Sequence, residues 1–345
     1  MRKSVGVALA MVLSVGGAAG AAEVKVTPDE AKRRVDVTVD GKPFTSYIWP
    51  DTLKKPVLYP LRSARGTLIT RGWPMDPRPG EPMDHPHHVG LWLNYGDVDG
   101  IDYWGNSDAM KPEDRPHLGT IQHRRIVSSK GGKDRGELQV ESDWVRPDGT
   151  TAIHEKTQYV FRAGPDWRSI DRVTTLRAGD KPVVFNDTKE GMLGLRVAHA
   201  LQMPSKTPEI YTDAHGQATT VPVLNNDGVS GMYLSSEGKK GDDVWGTRGR
   251  WVSLSGTVDG DPVTILMLDH PRNPGFPTYW HARGYGLFAA NPLGQKVFSN
   301  GKEELKYTLA AGRTTTFRHR ILILSGTTTP AQAEERSREF SSATP

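Results

Sequence analysis

Short β-rich runs, each soon broken by proline or glycine, recur along almost the whole chain, and helical periodicity is nearly absent. Val35, Val37 and Val39 alternate with polar residues and lead into Asp40-Gly41. That dipeptide is a hairpin cue, because a tight turn needs the positive φ that glycine tolerates. Ser169 to Leu176 alternates as well, with Ile170, Val173 and Leu176 among charged residues. Val263 to Leu268 is a continuous apolar run, the pattern of a strand buried on both faces. Thr314 to Ser325 ends in Ile321-Leu322-Ile323-Leu324. Many short strands without crossover helices predict an all-β protein, a large antiparallel β-sandwich. One helix is expected at the C-terminus: Thr329 caps it, Pro330 suits its first position, Ala331 to Phe340 favour helix, and Glu334 and Arg338 are spaced to pair. Gly231 to Gly249 is polar and glycine-rich and reads as a long surface loop.

The chain begins Met1-Arg2-Lys3, continues with an apolar run from Val5 to Val15, and then reaches Ala19-Gly20-Ala21. This is the pattern of a secretory signal, residues 1–21, leaving 22–345 as one β-sandwich domain in the periplasm or outside the cell. The apolar run is too short to span a bilayer, so no membrane span is expected. A net charge of +4 is spread over interspersed acids and bases, which argues against a nucleic-acid partner. The absence of cysteine excludes disulfides, zinc–thiolate sites and a cysteine nucleophile.

Three segments concentrate residues capable of chemistry. The first, Asp84-His85-Pro86-His87-His88, holds three of the eleven histidines. On an extended chain His85 and His87 share one face, where two imidazoles could bind a divalent metal or share proton transfer. Downstream, Trp92, Asn94, Asp102 and Trp104 mix aromatic and polar groups. That suits a sugar, whose CH face lies on a ring while its hydroxyls meet acids and amides. The second segment runs from Asn186 through Glu190 to Arg196 and His199. Glu190 is a candidate general base and Arg196 a candidate for binding substrate oxygens. The third joins Asp269-His270 to Tyr279-Trp280-His281 and continues to Asn291-Pro292. No G-x-S-x-G elbow, phosphate loop or H-E-x-x-H motif is present.

The segments around Asp84–His88, Asp187–Gly191 and Tyr279–Pro292, in this order, resemble the PmoA-like family, named after a methane mono-oxygenase subunit. The name does not transfer as function, since such a subunit needs transmembrane helices. The resemblance implies a carbohydrate role and a supersandwich similar to galactose mutarotase. It further implies a histidine acid, His87 or His199, and a carboxylate base, Glu190.

The expected function is a carbohydrate-active enzyme (glycoside hydrolase, lyase or epimerase) acting on a saccharide. His87, Glu190, His199 and His281 would be catalytic, and Trp92, Asn94, Asp102, Trp104, Arg196, Tyr279 and Trp280 would bind substrate. His85 and His87 would be the ligands if a divalent metal takes part. The alternative is a non-catalytic glycan-binding protein. The concentration of groups that titrate near neutrality favours the enzyme.

Overall fold

A computed structural model describes residues 21–343; the signal segment expected at 1–21 lies outside them except for Ala21. Two large sheets face each other. The nine-stranded sheet runs, in hydrogen-bonding order, Tyr279–Arg283, Leu287–Asn291, Gly191–Arg196, Leu91–Tyr95, Val57–Leu58, Lys42–Ile48, Arg34–Val39, Glu23–Asp29 and Gly132–Lys133. The eight-stranded sheet runs Met232–Ser235, Trp251–Val258, Asp261–Asp269, Thr314–Leu324, Trp167–Ala178, Thr151–Ala163, Arg135–Val145 and Thr120–Lys130. All strand pairings within the two sheets are antiparallel. The expected all-β antiparallel sandwich is therefore the fold.

The sequence signals land on these strands. Arg34–Val39 pairs with Lys42–Ile48 across Asp40 and Gly41, both at positive φ (49° and 74°). Asp261–Asp269 lies in the interior of its sheet, between Trp251–Val258 and Thr314–Leu324, and Val263 to Asp269 is buried without a break. One apolar cluster fills the space between the sheets, with Val35, Val37, Leu93, Leu195, Ile265, Phe288, Phe317 and Ile321 from strands of both. Removing each such side chain from water is worth about 1.5–3 kcal/mol.

Two local expectations are corrected. The 231–249 segment is not all loop: Met232–Ser235 adds a strand to the sheet and Gly241–Val244 is a 3₁₀ turn. The C-terminal helix spans Pro330–Ser342 and carries a full capping box between Thr329 and Gln332. Its Glu334, however, accepts hydrogen bonds from Trp251 Nε1 (2.9 Å) and Arg250 Nη2 (3.2 Å) instead of pairing with Arg338. The helix packs Ala333 and Phe340 against Trp251, Leu266, Leu268 and Leu322, on the outer face of the eight-stranded sheet.

Candidate functional site

Strand alternation sends one set of side chains from the nine-stranded sheet away from the core. Trp92, Gly194, Ala289 and His281 lie opposite one another on successive strands, and Arg196 lies opposite Leu287. The absence of a side chain at Gly194 matters here: a Cβ would stand 2.5 Å from the Trp92 ring and 3.0 Å from Trp104. This face is covered by the long connection before Leu91, and the chemical groups gather where that connection folds over the sheet.

Arg71 and Arg196, both with fully buried side chains, converge on Asp84. Arg71 Nη1 donates to Asp84 Oδ1 (2.6 Å), and Arg196 Nη2 donates to the same oxygen (2.5 Å). Arg71 also donates to the carbonyls of Asp84 (2.7 Å), His85 (2.9 Å) and His88 (3.0 Å), which fixes the turn that carries the histidines. The second carboxylate oxygen, Oδ2, lies 2.5 Å from His85 Nδ1. Burial alone would raise the Asp84 pKa, but Arg196, the His85 bond and Arg71 hold it well below the usual carboxylate range. His85 is exposed, and its Nε2 has no partner among the described residues. Its backbone sits at φ 44°, a left-handed conformation that costs a non-glycine residue about 1–3 kcal/mol. The Arg71 bonds to this turn offset that cost.

The segment is thus a turn, not the extended chain expected. The His88 amide donates to the His85 carbonyl (2.9 Å), and His85 lies parallel to His88, ring centroids 4.8 Å apart. Tyr285 lies parallel to His85 at 5.0 Å, and Trp92 is near-parallel to His88 at 5.2 Å. His85 and His87 stand 5.7 Å apart at a steep angle, and among the described residues no three His, Asp or Glu side chains converge as a metal-ligand set. The residues present therefore do not fit the metal centre expected from His85 and His87.

The three sequence segments do meet. Asp84 bonds Arg196, His85 packs on Tyr285, and His281 Nδ1 contacts the Lys189 carbonyl (2.9 Å). The Asn291 amide donates to the carbonyls of Thr188 (2.8 Å) and Lys189 (3.1 Å). Burial is the main influence on His281, which it lowers, and on Asp102 and Tyr285, which it raises; the Glu190 charge acts on all three, which places its carboxylate near them. Glu209 belongs to the other side. Burial first, then the charge of Asp84, raises its pKa, while Arg196, His85 and Arg71 act in the opposite sense. Glu209 thus lies near the Asp84–His85 pair, and Glu190 near His281 and Tyr285.

The expected residues divide on inspection. Glu190 is partly exposed, and its Oε1 pairs with Lys189 Nζ at 2.8 Å. His87 is only partly buried, yet burial and the neighbouring Lys55 charge push its pKa down to about 2, so it is a neutral imidazole and not an acid. His281 is 2% exposed and lowered to about 4 by burial, again neutral. His199 contacts Gln202 Oε1 through Nδ1 (3.1 Å), and Gln202 in turn donates to the Tyr285 carbonyl (2.9 Å), a positioning arrangement. Arg196 is wholly buried and holds Asp84, so it does not meet a ligand's oxygens as expected.

The aromatic expectations are corrected more broadly. Trp92, Trp104 and Trp280 are at most 1% exposed and offer no open platform. Trp280 points into the core, with Nε1 donating to the Gly249 carbonyl (3.1 Å). Asn94 is spent inside the protein, accepting from Trp92 Nε1 (3.0 Å) and donating to the Tyr103 carbonyl (2.5 Å). Tyr279 donates to Glu303 (3.1 Å) and stacks on Phe298, outside the cluster. Asp102 uses Oδ1 to close a turn with the amides of Trp104 and Gly105. Asp269 accepts from the amides of His270 and Thr278 and from Asn273, a structural corner. Sequence reading missed Arg71, Lys55, Tyr285 and Glu209. Arg71 and Glu209 stand apart from the three segments, Lys55 reads as one of two adjacent surface lysines, and Tyr285 lies in the third segment without a role assigned to it.

The family of unknown function (DUF6807) has a model that matches residues 34–338. The chain belongs to that family. The mono-oxygenase name suggested by the motifs is not the description this DUF6807 match carries. No curated protein matches the chain. Among solved structures, this DUF6807 protein is similar to a galactose mutarotase-like protein from Clostridium acetobutylicum, at 8% identity and TM-score 0.40, over 88% of this chain and 99% of that one. It is similar to galactose 1-epimerase from Lactobacillus acidophilus, at 9% identity and TM-score 0.38, over 88% and 98%. It is also similar to the galactosidase domain of an alpha-galactosidase-sucrose kinase, at 10% identity and TM-score 0.41, over 87% of this chain and 42% of that one. The chain thus spans about two fifths of the galactosidase it matches. At these scores the likenesses carry no site comparison, and function has to be read from the residues themselves.

Proposed function

We propose that this protein is an exported carbohydrate-active enzyme that works by proton transfer through the Asp84–His85 pair. The observation that carries the reading is the 2.5 Å contact between Asp84 Oδ2 and His85 Nδ1, with Asp84 locked by two buried arginines. The carboxylate keeps the His85 proton on Nδ1 and leaves the Nε2 lone pair open, the arrangement of an oriented general base. Glu209, whose pKa is raised chiefly by burial, would supply the complementary acid, and Glu190 lies on the His281 side. Base and acid around one opening suit glycosidic cleavage, elimination or epimerisation of a sugar. The roles expected of His87 and Glu190 thus shift towards His85 and Glu209.

A glycan-binding module without chemistry is disfavoured, because the tryptophans it would use as platforms are buried while titratable groups crowd the opening. The test is a panel of aryl glycosides, uronate-containing oligosaccharides and free sugars, followed by NMR. The wild type is expected to convert at least one member, and His85→Ala, still folded, to lose turnover by about 10²–10⁴. Turnover at wild-type rate in folded His85→Ala would overturn the assignment.

A further inference from the structure

Beside the pair lies a cavity of about 420 Å³, walled by Lys55, Trp73, Met75, Pro86, His87 and Ser107 among others. Its size suits a small sugar-sized ligand. Lys55 is 5% exposed. Its Nζ donates to the His87 carbonyl (2.7 Å) and lies 5.3 Å from the centre of the Trp92 ring. Among the described residues it has no carboxylate within ion-pair distance, whereas its neighbour Lys54 pairs with Asp108 at 2.5 Å. An ammonium buried with one acceptor and no counter-ion is costly, and such a lysine reverts to the neutral amine. Asp102 draws it back towards the charged form, but burial prevails and brings it down to about 7. The His87 ring beside it is held neutral. Among the described residues Ser107 Oγ, also on the cavity wall, is buried with no hydrogen-bond partner, so it is free to meet a ligand hydroxyl.

We propose that Lys55 is a nucleophilic amine of this cavity, placed to take a ligand bearing an aldehyde or ketone carbonyl as an imine. The Nζ lone pair attacks the carbonyl carbon, and the C=O electron pair moves onto oxygen. That oxygen takes up a proton released by the nitrogen, carried by solvent water. The carbinolamine then expels its hydroxyl as water as the second amine proton leaves and C=N forms. Amine and carbonyl thus give imine and water, with no oxidant or reductant consumed. Unpaired buried lysines of this kind serve Schiff-base chemistry because the free amine is available near neutral pH. The inference rests on the reading above only for its ligand being a sugar, since the Asp84–His85 pair takes no part.

The test treats the folded protein at pH 7 with dihydroxyacetone and cyanoborohydride, which reduces any imine to a stable adduct, and maps the modified peptides. A fully solvated lysine amine has a pKa of about 10.4, so at pH 7 only about 1 in 2,500 is free; exposed lysines such as Lys42 and Lys111 serve as the internal comparison. Lys55 is expected to carry adduct at least about tenfold above them, despite its burial, given its far larger neutral fraction. The same selectivity is expected in His85→Ala, so failure of the acid–base reading would leave this one standing. Adducts that follow exposure and leave Lys55 unmodified would overturn it.

Discussion

Asp84 orients the base and neutralises two buried cations at once. Its replacement by alanine would leave Arg71 and Arg196 facing each other without an anion. Breaking a buried ion pair in this way costs about 3–5 kcal/mol, so Asp84→Ala should show that loss in denaturant unfolding. A change below about 1 kcal/mol would mean the arginines have other compensation. Because the folded pKa of Asp84 is depressed, its contribution is complete above the unfolded value of about 3.9 and is lost as the pH falls below it. Glu209→Gln should lower turnover by about 10²–10⁴ with the fold intact, measured on whichever sugar the wild type converts. The histidine run was legible from sequence as a site, but not which histidine acts. That depends on a left-handed turn at His85 and on Arg71, a lone arginine in Thr70-Arg71-Gly72 that nothing in the sequence ties to Asp84.

At the scale of elements, alternation and turn chemistry carried the reading well. The Asp40-Gly41 hairpin, the buried strand from Val263 and the capped C-terminal helix all stand where their local signals put them. The cap can be tested: Thr329→Ala removes the acceptor for the Gln332 amide and should cost about 1 kcal/mol in thermal or denaturant unfolding. What failed was inference of exposure from residue type. Trp92, Trp104 and Asn94 read as sugar contacts, yet the Leu91–Tyr95 strand that carries Trp92 and Asn94 lies under the chain that folds over the sheet, and Trp104 packs against Trp92, so all three are buried. Glu334 pairs outward to Trp251 and Arg250 because the helix lies on a sheet, which helical spacing alone could not show.

For the whole molecule, convergence of the three segments depends on strand order. Leu91–Tyr95, Gly191–Arg196 and the hairpin of Tyr279–Arg283 with Leu287–Asn291 are distant in sequence and adjacent in the sheet. No local pattern encodes that order, so the meeting of Asp84, Arg196 and Tyr285 was beyond sequence reading. The fold also keeps several histidines neutral by burial, among them His281, down to about 4, and His319, down to about 3. Between those values and the unfolded 6.5, the unfolded chain binds more protons than the folded one. Stability should therefore fall as pH drops from 6.5 towards 4, by up to about 1.4 kcal/mol per pH unit for each such histidine. Unfolding curves over that range that stay flat would contradict the burial of neutral imidazoles.

The central claim is that Asp84 fixes His85 as a base with Nε2 open to the cleft, and it can be measured before any sugar is known. Nitrogen-15 NMR of the His85 ring near pH 8 reads the tautomer directly. The account predicts a proton on Nδ1 and a bare Nε2, with the tautomer scrambled in Asp84→Asn. A proton on Nε2 in the wild type would contradict it.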